Sequence, residues 1–144
     1  MNTPLGNYLN VDSWSMADHM RASLPCDALC MAVRNSRVRK GAVFHSDRGS
    51  QYTSEEMADH LEFFGMTGSM GRTGVCWDNA LAESFFGMLK NELVYRTVFP
   101  TRRRARLAIA EYIEVFYNRQ RLHSGIGYKT PAEVRESFET AEAA

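Results

Sequence analysis

The sequence is poor in cysteine, and the three it has, Cys26, Cys30 and Cys76, are an odd number. Met1 to Asn10 shows neither the basic start nor the apolar stretch of an export signal, so a cytoplasmic location is expected and a disulfide framework is not. Cys26 and Cys30 are four apart on one helical face, but no histidine or third cysteine stands at zinc-binding spacing, and both read as small buried hydrophobes. No apolar run approaches the roughly 18 residues that a membrane span requires. Repeats and low-complexity linkers are absent as well. Net charge is also lacking: 17 basic residues balance 17 acidic ones, without the basic excess common in nucleic-acid binders.

What the total hides, the distribution shows. Arg34, Arg37, Arg39 and Lys40 form one basic stretch, and Arg96, Arg102, Arg103, Arg104 and Arg106 form another. The end of the chain is acidic, with Glu133, Glu136, Glu139 and Glu142. At 144 residues the chain has enough length to bury one sizeable core.

Residues 1–12 carry no periodic pattern, and residues 13–20 are read as the end of a strand. A helix is expected from Ser23, with Pro25 in its first turn and Leu24, Ala28, Leu29, Ala32 and Val33 at helical spacing, closing at Asn35 and Ser36. Ala42, Val43 and Phe44 read as a buried strand that leads into His45-Ser46-Asp47. Thr53 with Glu56 makes a capping box for a second helix, with Met57, Leu61 and Phe64 inward and Gly65 as its stop. Met66 to Met70 reads as one more strand, and Gly71 to Trp77 as a mobile loop.

Asp78 or Asn79 then caps a long helix through Arg96, with either Leu81, Phe85, Leu89 and Leu93 or Ala82, Phe86, Leu89 and Leu93 inward. Pro100 breaks the chain. Thr101 opens another helix to about Asn118, whose core face is Ala105, Ala108, Ile109, Tyr112, Ile113 and Phe116. This alternation of helices and strands is α/β in character.

The chemistry rests on two carboxylates. Asp47 stands at the exit of a strand, where open α/β sheets place ligand-handling groups. Glu83 stands in the first turns of a helix, a commonplace position that the helix dipole favours. Glu83, Gly87 and Lys90 stack on one face, since seven residues make almost two turns. A carboxylate, a missing side chain and an ammonium in line suit a metal, a close phosphate backbone and a phosphate contact; a solvated face with one exposed glycine is the other reading.

The segments His45-Ser46-Asp47-Arg48-Gly49-Ser50-Gln51-Tyr52 and Asp78-Asn79-Ala80-Leu81-Ala82-Glu83-Ser84-Phe85-Phe86 resemble signature blocks of insertion-sequence transposases in the retroviral-integrase superfamily. That family separates its second Asp from its Glu by thirty-five residues, and here 83 − 47 = 36 leaves 35 between them. Lys90 occupies the place of the family's basic residue seven after the Glu. A third block, Tyr117-Asn118-Arg119-Gln120-Arg121-Leu122-His123-Ser124 followed by Gly127-Tyr128-Lys129-Thr130-Pro131-Ala132-Glu133, is similar to the family's C-terminal motif.

The resemblance implies an RNase H-like integrase catalytic core over residues 13–134, with C-terminal helices and a final acidic tail at 135–144. It implies metal-dependent DNA strand cleavage and transfer, with Asp47 and Glu83 as catalytic and metal-binding residues. Mg2+ or Mn2+ is the implied cofactor. DNA at transposon ends and target is the implied partner, alongside a homo-oligomer or full-length transposase. The family's first aspartate has no counterpart: Asp12, Asp18 and Asp27 precede Asp47, none in a matching strand context. An N-terminally truncated core, with weak metal binding and inactive alone, is therefore expected. A non-catalytic DNA-binding or transposase-pairing module is the alternative.

Several single residues keep two readings. His45 is either a substrate-side contact or a satisfied strand histidine. Arg119, Arg121 and His123 either touch DNA phosphates or close a helix end. Trp77 stacks on a base or anchors its loop, and Arg102 to Arg104 face DNA or solvent.

Overall fold

The computed structural model describes residues 10–35, 38, 40–70 and 80–143. The expected loop Gly71–Trp77, the caps Asp78 and Asn79, and Arg37, Arg39 and Cys76 lie outside the described residues. The chain divides into two compact units, one of Asp12–Ser84 and one of Met1–Val11 with Phe85–Ala144.

In the first of these, α1 (Ser23–Asn35) and α2 (Glu55–Phe63) accompany β1 (Val43–Ser46) and β2 (Thr67–Met70). The strands pair in parallel, with Val43 opposite Thr67 and Ser46 opposite Met70. Parallel neighbours cannot be joined by a tight turn, so α2 forms the crossover. Its start is one residue later than the capping-box reading. Ser54, not Thr53, accepts the Met57 N–H at 3.2 Å, because the Thr53 hydroxyl donates back to Ser50 O. Its end is a Schellman motif: Met66 N–H reaches Leu61 O at 2.8 Å, Gly65 N–H reaches Glu62 O at 2.9 Å, and Gly65 takes φ 64.

The core of this unit is Cys26, Leu29 and Met57, with Phe44, Leu61, Phe64 and Met66 packed around them. Cys26 is thus the small buried hydrophobe expected, its Sγ 3.7 Å from Met57 Sδ, and burial pushes its thiol pKa up. Two expectations are corrected. β1 is not buried throughout: Phe44 turns toward the core while Val43 is 60% exposed, the alternation of a strand covered on one face. Residues 13–20 form no strand, because side chains take up the backbone groups around them. Trp14 N–H donates to Met31 Sδ, and Asn35 Nδ2 donates to Asp12 O.

α3 (Ala80–Glu92), whose residues from Phe85 onward belong to the second unit, ends four residues before Arg96, and a single 3-10 turn covers Val94–Arg96. Leu89 is buried and Phe86 is 53% exposed, which selects the stripe through Phe85 and Leu89. Thr101 caps α4 (Arg102–Glu111) by accepting Arg104 N–H at 3.2 Å. The expected helix then changes type: Tyr112–Tyr117 is π-helical. Its i→i+5 bonding shifts the inward register by one residue. Tyr117 is accordingly buried, at 1% exposure, while Phe116, the residue that a 3.6-residue period points inward, is 41% exposed.

The last helix, α5 (Pro131–Ala143), opens on a reciprocal capping box between Thr130 and Glu133. Residues 135–143, expected as a tail, continue that helix.

Met57 has no exposed surface and touches both helices' side of the core. Met57→Ala is expected to lower stability by about 2–5 kcal/mol. A urea titration should show the midpoint falling with the slope preserved; an unchanged midpoint would remove Met57 from the core.

Candidate functional site

Asp47 follows directly on β1, and the residues after it explain its pose. Its Oδ1 accepts the Gly49 N–H at 2.8 Å, and the chain then turns sharply, with Tyr52 and Thr53 N–H groups both reaching Gly49 O. A Cβ on residue 49 would stand 3.0 Å from Asp47 Oδ1 and 2.8 Å from Gln51 Nε2, so a side chain there would push the Gln51 amide aside and press on the Asp47 carboxylate. Tyr52 packs its ring 6.3 Å from Phe44 and lies near enough to feel Asp47. Burial first, and then that carboxylate, raise its pKa.

One oxygen of Asp47 is thereby oriented by the backbone, and the side chain as a whole is exposed. His45, two residues earlier, faces Ser69 on β2 with Nδ1 3.3 Å from its Oγ.

Glu83 lies in the first turn of α3 and is exposed. Lys90 is exposed toward the other end of the same helix. Between them, a Cβ on Gly87 would meet nothing within 4 Å. Among the described residues neither Asp47, Glu83, Lys90 nor Arg119 makes an ion pair. Asp47 and Glu83 fall in the unit Asp12–Ser84; Lys90, Arg119, Arg121 and His123 fall in the other. Among the described residues no three His, Cys, Asp or Glu side chains gather as a metal-ligating group.

Arg121 and His123 are placed quite differently from Lys90 and Arg119. Arg121 grips Glu92, the last residue of α3, with Nη2 at 2.8 Å and Nε at 3.1 Å from Oε1. Tyr112 OH donates to the other oxygen, Glu92 Oε2, at 2.7 Å. Arg121 Nη1 is 3.2 Å from His123 Nδ1, which must then be the acceptor, leaving the proton on Nε2. His123 is 5% exposed, stands edge-on to Tyr117 with centroids 4.8 Å apart, and keeps its buried Nε2 without a hydrogen bond.

The electrostatics follow the contacts. The Arg121 hydrogen bond, outweighing burial, holds the Glu92 carboxyl below its ordinary value. Burial, then hydrogen bonding to Glu92, pushes Tyr112 far up. Burial and the Arg121 charge hold His123 below its usual value, against weaker pulls from the Tyr117 backbone and Glu92. Sequence reasoning had grouped Arg119, Arg121 and His123 as alike. It missed Glu92, Tyr112 and Asn118, whose side-chain amide clamps both Val11 N–H and O at 2.9 Å.

With this geometry in hand, comparison with known proteins is decisive. Two profiles described as the integrase core domain match residues 10–76 and 64–131. The chain belongs to the insertion-sequence transposases of the integrase superfamily.

It is 46% identical over 125 residues to the insertion element IS600 uncharacterized 31 kDa protein of Shigella sonnei, covering 87% of this chain and 46% of that one. It is 41% identical over 120 residues to the transposase for insertion sequence element IS904 of Lactococcus lactis subsp. lactis, covering 83% and 47%. Transposase InsF for insertion sequence IS3A of Escherichia coli matches at 41% over 123 residues, covering 85% and 43%. The chain thus spans just under half the length of these relatives.

In structure it is similar to the catalytic core domain of BIV integrase, at TM-score 0.63 and 20% identity, covering 89% of this chain and 79% of that one. It is also similar to a chain of a simian T-cell lymphotropic virus intasome, at TM-score 0.63 and 16% identity, covering 81% and 41%. The fold is that of integrase catalytic cores, RNase H-like, with the small parallel sheet and its flanking helices as this chain's share of it.

His123 provides a pH test. Its folded pKa is depressed below the ordinary 6.5, so the unfolded chain binds the proton first. Stability is full above about 6.5 and falls as pH drops through that value toward the folded pKa. The urea midpoint should decline between pH 7 and pH 5, and His123→Phe should flatten that decline. An undiminished slope in the variant would show that His123 is not held neutral.

Proposed function

We propose that this chain contributes to a DNA strand-cleavage and strand-transfer centre for transposition, in which Asp47 and Glu83 hold a divalent cation, Mg2+ or Mn2+. The observation that carries this reading is the state of the two carboxylates. Both are exposed and without an ion pair among the described residues, and Asp47 has one oxygen oriented by the Gly49 N–H. Hard oxygen donors of this kind suit Mg2+, which keeps several of its waters and takes only one or two carboxylates. When bound, such a cation activates the attacking oxygen and stabilises the leaving one at a phosphodiester.

The protein's own part is to fix the donors. Gly49 and the turn to Tyr52 set the direction of Asp47, and α3 carries Glu83 in its first turn. Lys90 and Arg119 are offered as contacts for DNA phosphates, both exposed and without an ion pair among the described residues. Gly87, with nothing within 4 Å of its missing side chain, leaves room on α3 for a backbone to approach. Arg121 and His123 are engaged within their own unit, Arg121 on Glu92 and His123 on Arg121 and Tyr117. The partners of this reading are transposon-end and target DNA, with a homo-oligomer or a full-length transposase beside them.

The test is Mn2+ titration of the purified chain followed by electron paramagnetic resonance. Asp47→Asn and Glu83→Gln should each weaken binding by at least about tenfold, the lower end of what loss of even an outer-shell partner commonly costs. Mn2+ binding unaffected by either change would refute the shared site. Lys90→Ala should leave Mn2+ binding alone and reduce the salt slope of DNA binding by about one. A slope that stays put would assign Lys90 to an ordinary solvated face.

A further inference from the structure

The tight turn between His123 and Thr130 holds one residue against its conformational preference. Tyr128 has φ 56, and it is the sole non-glycine residue with positive φ among those described. Gly127 before it has φ 70. The left-handed region crowds a Cβ against the following carbonyl, and it is glycine, Asn and Asp that occupy it routinely.

The turn enforces this pose through hydrogen bonds. Tyr128 N–H and Ile126 N–H both donate to His123 O, at 2.9 and 3.2 Å, and His123 N–H donates to Lys129 O at 3.1 Å. His123 and Thr130, at its two ends, are 5% and 6% exposed, so the turn is anchored in packed structure.

Among the described residues nothing explains why the residue held there is tyrosine. Its side chain is 72% exposed and has no aromatic contact among the described residues. Asparagine would tolerate the same backbone with less strain. A second residue of the turn is equally unexplained from within: Gly125 has no positive φ, and a Cβ on it would meet nothing within 4 Å. Strain that gives the fold no return is retained where a ligand needs the group.

Charge indicates which ligand. From Val115 to Ala132 the sequence has no Asp or Glu, while Arg119, Arg121 and Lys129 fall within it. Arg121 is neutralised by Glu92, leaving Arg119 and Lys129 exposed.

We propose that Tyr128 is a nucleic-acid contact, its ring presented by a rigid turn for stacking on an unpaired DNA base, with Lys129 as the adjoining cation and Gly125 as clearance. This rests on the reading of the chain as a DNA-handling protein. Base–aromatic stacking tolerates any base, because every base offers a π-face, and an exposed ring beside cations is its usual platform.

The test is fluorescence anisotropy of the full chain with a labelled single-stranded oligonucleotide, alongside thermal unfolding. Tyr128→Asn should weaken binding about 5- to 150-fold, the loss expected for one base–aromatic stack. It should also raise Tm by on the order of 3 °C, by relieving the left-handed strain. Tyr128→Phe should bind like the wild type, since the ring is kept.

Loss of affinity combined with gain of Tm is a signature that a merely structural tyrosine cannot give. If Tyr128→Asn binds as tightly as the wild type while Lys90→Ala binds less, this proposal falls and the DNA reading stands. No DNA binding by the wild type would overturn both. A lowered Tm in Tyr128→Asn would make the ring part of the fold, and a loss of self-association by sedimentation with unchanged DNA affinity would make it a protein contact.

Discussion

Glu92 is the charge around which the Phe85–Ala144 unit is arranged. A carboxylate drawn partly out of water must be met by donors, or its desolvation opposes folding. Arg121 meets it with Nη2 and Nε both on Oε1 and Nε also on Oε2 at 3.2 Å, and Tyr112 OH donates to Oε2. That choice propagates. Tyr112 and Tyr117 must lie near one another to enclose the pair, and in an α-helix residues five apart diverge by about 140°. The π-helical turn over Tyr112–Tyr117 removes that divergence and brings their centroids to 6.3 Å. Phe85 of α3 then seats edge-on against Tyr117 at 5.0 Å, and His123 closes its other side. The ion pair, the π-helical turn, the ring packing and His123 thus form one network of contacts.

The same logic shows what could be read from the sequence. Local rules with a single physical cause transferred well. The strands on either side of α2, the stop at Gly65 and the start at Thr101 each follow from turn chemistry or periodicity that a few residues encode; the parallel pairing of those strands is the structure's addition. The inward face of the last long helix did not transfer beyond Ile113, because a 3.6-residue period was assumed through a segment whose bonding is i→i+5. Phe116 and Tyr117 are both aromatic, so hydropathy cannot tell which of them is buried. Nor does sequence distinguish Arg119 from Arg121. Two residues apart in one motif, one is exposed and the other is bound to a glutamate 29 positions upstream. That partner is set by tertiary contact, not by spacing. For Asp47 and Glu83 the residue types and their interval were legible, and what the structure adds is the turn at Gly49 that orients the first.

Function enters through what the fold leaves unused. In a chain with balanced charge, the cations and carboxylates that matter for a polyanion are those not already neutralised internally. Glu92 and Arg121 cancel one another, and Arg135 pairs with Glu139 four residues on in α5. Asp47, Glu83, Lys90 and Arg119 are not consumed in this way among the described residues. A zero net charge is therefore compatible with a surface that handles metal and phosphate, because the internal pairs remove themselves from the electrostatic field that a ligand meets.

The glycines make the division sharper. Gly49 and Gly65 are explained from inside: one would clash with Asp47 and Gln51 if it had a side chain, and the other needs a left-handed backbone to end α2. Gly87 has neither reason. It sits in the middle of α3 with ordinary helical backbone and open space where its side chain would be, and glycine there costs roughly 0.5–1 kcal/mol relative to alanine. That stability is forgone between Glu83 and Lys90, which share a face of the helix and make no ion pair among the described residues. On the proposal made above, this gap is where a phosphate backbone comes close to α3, between the carboxylate and the cation.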